Sequence, residues 1–178
     1  MQKKTFLLFL VSTVLAGCAS ALKLPNIGAN SLPEKGSALL VTRIILRDAV
    51  PGYTNRPPVS IALIDQQNLT VASAILDLEL GENFRVISLP PGNYSWRGIY
   101  LANYYSEFRG KLLFGLAPNS ATYVGDIELT IDWSTKKYGL KVVDRSHIAN
   151  SHYTSEFPAA AGTLPLTTTL VQDLRGPN

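Results

Sequence analysis

Residues 121–133 alternate polar and apolar side chains with a period of two. Tyr123, Gly125, Ile127, Leu129, Ile131 and Trp133 fall on one side. Thr122, Asp126, Glu128, Thr130 and Asp132 fall on the other, and only Val124 breaks the pattern. A strand reads this way when one face packs on a core and the other meets water. A one-residue slip would bury three carboxylates, so the register is expected to be firm. Ser134, Thr135 and Lys136 then turn the chain into a second run at 138–144, which predicts a hairpin.

The rest of the chain follows the same short period. Strand-like runs occupy 38–47, 59–64, 70–78, 83–89, 94–101 and 108–116. Turn residues separate most of them: Pro51, Gly52, Pro57 and Pro58 in the loop 48–58, then Gly81, Pro90-Pro91-Gly92-Asn93, and Pro118-Asn119. In Pro90-Pro91-Gly92-Asn93, Pro91 and Gly92 suit the two central positions of a type II turn, with positive φ at Gly92. One short helix is expected within 146–157, capped by Asp144 or Ser146 and stopped by Pro158. The run 163–174 supplies a last strand, which Pro165 restricts to an edge. The expectation is an all-β fold, an antiparallel β-sandwich of about seven to nine strands. Its 178 residues, 46% hydrophobic and 16% charged, suit one domain and argue against a disordered chain.

The first eighteen residues have a different character. Lys3 and Lys4 precede an apolar run from Phe6 to Ala16, interrupted only by Ser12 and Thr13. At about 1.5 Å per helical residue the run is too short to cross a hydrocarbon core of about 30 Å, and it reads as a secretory signal. The only cysteine, Cys18, directly follows Leu15-Ala16-Gly17. Ala16 and Gly17 are small enough for a peptidase cleft, and a thiolate is the best sulfur nucleophile the chain offers. Removing the leader takes away two of the sixteen basic residues, and 14 against 13 acidic residues leave a charge of +1. That balance gives no reason to expect a nucleic-acid partner. A single cysteine also excludes an internal disulfide and a cysteine-based metal site.

Leu15-Ala16-Gly17-Cys18 resembles the lipobox of bacterial lipoproteins. The resemblance implies cleavage before Cys18, a thioether-linked lipid on its sulfur, and acylation of the new amine. Each buried CH₂ contributes about 0.8 kcal/mol, so two or three chains would hold the protein at a bilayer permanently. Ala19, in place of the aspartate that retains lipoproteins in the inner membrane, implies the periplasmic face of the outer membrane. The organisation expected is a signal peptide at 1–17, a lipidated N-terminus and tether at 18–36, and a sandwich at 37–178. The tether assignment follows from Pro25, Gly28, Pro33 and Gly36 with no sustained period.

Chemical motifs are sparse. No nucleophile elbow, phosphate loop, dinucleotide fingerprint or His-Glu-x-x-His is present. His147 and His152 are five apart and would not share a helix face, so they read as solvated loop residues rather than metal ligands beside Asp144. Asp126, Glu128 and Asp132 read as a solvated strand face, as do Asp77 and Glu79. No catalytic residue, metal or small-molecule cofactor is expected. Tyr94, Trp96 and Tyr100 share strand parity and read as core. Tyr104 and Tyr105, in the turn-like stretch 102–107, and Tyr53 and Arg56, in the long loop 48–58, are the candidates for contact with an envelope protein partner.

Leu89-Pro90-Pro91-Gly92-Asn93-Tyr94, Phe114-Gly115-Leu116-Ala117-Pro118 and Tyr123-Val124-Gly125-Asp126-Ile127 together resemble small bacterial lipoproteins with a transthyretin-like or carboxypeptidase-regulatory-like sandwich. Asn119 stands where those proteins carry glycine, and asparagine also visits positive φ. The resemblance implies a fold and no catalytic residues. It leaves three expectations for function: a non-catalytic lipid-anchored module that binds an envelope protein, a lipoprotein of the type VI secretion kind that docks a membrane-complex subunit, and a cell-wall or glycan hydrolase as the least favoured.

Overall fold

The computed structural model describes residues 23–54, 56–67 and 74–173. Cys18 and the signal segment lie outside the described residues. The chain forms β1 (Ala38–Asp48), β2 (Val59–Asp65), β3 (Ala74–Leu78), β4 (Gly81–Leu89), β5 (Gly92–Leu101), β6 (Tyr104–Leu116), β7 (Ala121–Asp132) and β8 (Lys137–Val143). Two helices follow, α1 (Ser146–Glu156) and α2 (Pro158–Thr163), then two short strands, β9 (Leu166–Thr168) and β10 (Gln172–Asp173). One sheet has the order β4-β1-β7-β8, with β9 also on β7; the other has the order β10-β6-β5-β2-β3.

The two sheets enclose a core that includes Leu40, Ile44, Ile61, Trp96, Leu112 and Ile127. The expected sandwich is therefore present, with ten strands among the described residues. It departs from a purely antiparallel arrangement: β1 pairs parallel with β7, and so does β9. A parallel pair needs cover on both faces. The helices supply it, through a second core of Leu39, Val41, Val86, Ala121, Tyr123, Ala149, Tyr153, Phe157 and Ala160. This explains why residues 38–46 of β1 are buried without a break.

Several local expectations change for identifiable reasons. In β7, Gly125 takes φ +105°, and the register with β1 shifts between Val41 and Arg43. This bulge inserts one extra residue and exchanges the two faces. Tyr123 therefore points to the helices, while Val124 joins Ile127, Leu129 and Ile131 between the sheets. Val124 is not an exception to the alternation but the place where it changes phase. The same reasoning corrects Tyr100. A register shift after Trp96 puts Ile99 and Leu101 in the core, and the Tyr100 ring meets Tyr105 tilted by 40°, with centroids 4.7 Å apart, on the outer side.

The Pro90-Pro91 turn does join β4 to β5, but Gly92 is not its positive-φ residue. Gly92 already pairs with Leu116 as the first residue of β5. Asn119 does take positive φ, 53°, and its Oδ1 accepts the Gly36 N–H at 2.8 Å. The N-cap of α1 is Arg145, with no side-chain cap bond, rather than Asp144 or Ser146; Asp144, one residue earlier, accepts the Ser146 N–H at 2.9 Å. α1 ends at Glu156, ahead of Pro158 as expected, and Pro158 then begins a second helix, because the N1 position needs no N–H donor.

Residues 23–27, expected within the tether, lie against β4. The Ile27 N–H donates to Val86 O at 2.9 Å, and Asn26 Oδ1 accepts the Val86 N–H at 3.0 Å. Leu24 packs on the core between the sheets, and Lys23 Nζ lies 2.7 Å from Asp77 Oδ2. This part of the segment is a strap along the sandwich.

Candidate functional site

Tyr53, Arg56, Tyr104 and Tyr105 come from segments far apart in sequence, yet all lie at one end of the sandwich. That end is built from the β1–β2 loop, the β3–β4 crossing, the β5–β6 turn and the β7–β8 turn. Ala102 and Lys136 take positive φ, 52° and 54°, which keeps the last two connections tight. Residues 102–107 are therefore not a loop. Only Ala102 and Asn103 turn, and Tyr104 and Tyr105 open β6 opposite Leu101 and Tyr100.

Asp48, the last residue of β1, organises the long loop. Its carboxylate accepts from Arg56 Nε at 2.9 Å, from Arg56 Nη2, and from Trp133 Nε1 at 2.8 Å. Tyr53 stacks on Trp133, with ring centroids 6.1 Å apart and planes 22° apart. The Arg56 guanidinium, followed by the indole N–H, holds Asp48 below the usual carboxylate range. Next to Trp133 a hollow of about 250 Å³ opens between Pro57, Leu78 and Leu80. The sequence offered no direct sign of Asp48 or Trp133 in this role, although both stand where an apolar run meets a turn.

Along the side of the sandwich runs a wider groove of about 660 Å³, between β6 and β8. Phe108, Leu112 and Leu140 supply apolar surface, and Phe108 meets Tyr138 edge to face at 5.6 Å. Tyr104, Arg109, Lys136 and Lys137 also line it. Lys136 Nζ sits 5.4 Å from the Tyr104 ring centroid, in cation–π range. The acid here, Glu107, lies 3.2 Å from the Arg97 guanidinium, so the cations outnumber it. Tyr138 OH donates to Glu107 O at 2.8 Å and ties the two strands across the groove. β8 is paired on one side only, with β7, among the described residues.

The expected solvated carboxylates are not all solvated. Asp126 is fully buried. It accepts from Arg43 Nε at 2.9 Å and Nη2 at 2.5 Å, from Arg145 Nη1 at 3.1 Å, and from Tyr123 OH at 2.6 Å. Glu128 is nearly buried; Arg145 Nη2 lies 2.7 Å from its Oε1, close enough for charge pairing but poorly aligned for a hydrogen bond. The bulge at Gly125 puts Asp126 on the helix side with Tyr123, where α1 covers it. Burial, and then the bond to Asp126, raise the Tyr123 pKa well above the ordinary phenol value. Asp77 is held low by Lys23 and then Ser60. Asp132 is held at about 2, chiefly by Ser134 and Thr135.

His147 and His152 lie on α1, not in a loop. His152 Nδ1 is 2.5 Å from Glu156 Oε1, and its ring lies against Phe84 at 5.2 Å. Among the described residues no three His, Cys, Asp or Glu side chains gather as metal ligands. No helix among them is long and apolar enough to cross a membrane. Comparison with protein-family models, with curated proteins and with solved structures gave no match.

Proposed function

We propose that this chain is a lipid-anchored, non-catalytic binding module of a bacterial cell envelope. Cys18 carries the lipid and fastens the chain to the outer membrane, facing the periplasm. The sandwich takes a segment of a partner protein in the groove between β6 and β8. The observation that carries the binding half is the groove itself, where an apolar floor, Tyr104 and three cations meet the free side of an edge strand. Interfaces favour aromatic anchors and arginine. An edge strand can also accept a further strand through its unpaired backbone groups. The anchoring half rests on Leu15-Ala16-Gly17-Cys18.

Two substitutions separate the halves. Cys18→Ser is expected to release the chain from membranes in fractionated cells. Lys136→Glu with Lys137→Glu is expected to leave the chain in membranes and abolish its crosslinks to a partner from photoreactive groups at Tyr104. A Cys18→Ser chain that still sediments fully with membranes overturns the anchoring. Unchanged crosslinks in the double variant overturn the groove.

A further inference from the structure

The strap at 23–27 sets where a lipid on Cys18 can be. Asp77, which holds Lys23, pairs with Ser60 one position in from Val59 and Leu78 at the strand ends. Asn26 and Ile27 bond further along, at Val86. Followed backwards, the strap therefore heads for the end that carries Tyr53 and Tyr104. Four residues lie between Cys18 and Lys23, and the five steps they make reach at most about 18 Å. The eleven residues of β1 span about 37 Å. The opposite end is thus about 30 Å from Lys23 and out of the anchor's reach.

The reachable end is also where apolar side chains meet solvent. The large exposed apolar residues described are Leu32, Val50, Tyr53, Leu80, Tyr104, Tyr105 and Leu170. Five of these seven belong to this end. Val50 is 61% and Leu80 50% exposed, at the tips of two connections. The exposed charges around them are mixed, Lys136 and Lys137 with Asp77, Glu79, Glu82 and Glu107. Aliphatic tips and tyrosines gathered at one end match the acyl boundary and interface of a bilayer surface.

We infer that this end of the sandwich rests on the lipid surface, with Val50 and Leu80 at the acyl boundary. The inference rests on the proposed lipidation of Cys18. The full chain has no other cysteine, so a new one can be labelled selectively. Lipidated chains with Val50→Cys, or Ala117→Cys at the opposite end, are labelled with a polarity-sensitive dye and placed in vesicles of phosphatidylethanolamine and phosphatidylglycerol. The dye at 50 is expected to shift to the blue and to be quenched by nitroxide-bearing lipid, while the dye at 117 stays in water. Equal signals from both positions, or a signal at 117 alone, overturn the inference.

The mass of the mature N-terminus reports separately on the anchor. If Cys18 is unmodified, the anchoring reading fails. The face is then tested with the Cys18→Ser chain, where Val50→Asp with Leu80→Asp is expected to lower partition onto the same vesicles about tenfold. An unchanged partition overturns the face on its own. Both positions are exposed, so the circular dichroism of the variants is expected to match the parent.

Discussion

Replacing Asp126 by asparagine removes a charge that two arginines share. The side chain accepts four contacts between 2.5 and 3.1 Å. An amide of the same shape offers one acceptor, and its NH₂ would face guanidinium N–H groups. Losing one neutral hydrogen bond costs about 1 kcal/mol, whereas leaving a buried charge without its partner costs about 3–5 kcal/mol. Glu82, 3.2 Å from Arg43 but more than half exposed, supplies part of the missing countercharge. The lower end, about 3 kcal/mol, is therefore expected. Urea unfolding followed by tryptophan fluorescence measures it as a fall in midpoint with an unchanged slope. The companion Arg43→Met with Asp126→Leu removes both buried charges and is expected to cost less than Asp126→Asn alone. A loss below about 1 kcal/mol for Asp126→Asn, or a double variant less stable than the single one, refutes this account.

The remaining expectations are briefer. Asp48 sits below the usual carboxylate range, so its contacts stabilise the fold above its unfolded pKa of about 3.9 and are lost as the pH falls through the lowered value. An acid step in Trp133 fluorescence below pH 4 is expected, and Asp48→Asn should abolish it. Tyr94 and Tyr153 are pushed up to about 12 by burial, with Asp65 adding to the rise at Tyr94, and Tyr123 is raised further. Absorbance at 295 nm should show these three of the eight tyrosines still neutral at pH 11. That stabilisation is complete below about pH 10, the unfolded value, and fades as the pH rises toward the folded one. Gly125→Ala forces a side chain onto φ +105° and within 2.9 Å of Val142, and should cost about 1–3 kcal/mol in the same urea assay.

Eight of the strands, β1–β8, were legible in the sequence because each carries its own apolar run and most end at a turn residue. Tyr53, Arg56, Tyr104 and Tyr105 were legible as candidates because aromatics and arginine in connections are uncommon. Their gathering at one end was not, since it depends on which strands are neighbours. The burial of Asp126 was hidden for a related reason. Its alternation with Glu128 and Asp132 is what a wetted face would show, and only the phase change at Val124-Gly125 marks the difference. The parallel pairing of β1 and β7 left a weaker trace, an apolar run too continuous for a half-wetted strand.

That pairing has a consequence for how the protein is made. Arg43 and Asp126 are 83 positions apart, so β1 leaves the ribosome long before β7 exists. Until β4 emerges, a strand-forming segment of mostly apolar residues, from Ala38 to Leu46, has nothing to pair with, and until β7 follows one of its edges stays open; such segments self-associate. Arg43 is the single charge within it, a gatekeeper against premature fibre-like contacts that later becomes the partner of Asp126.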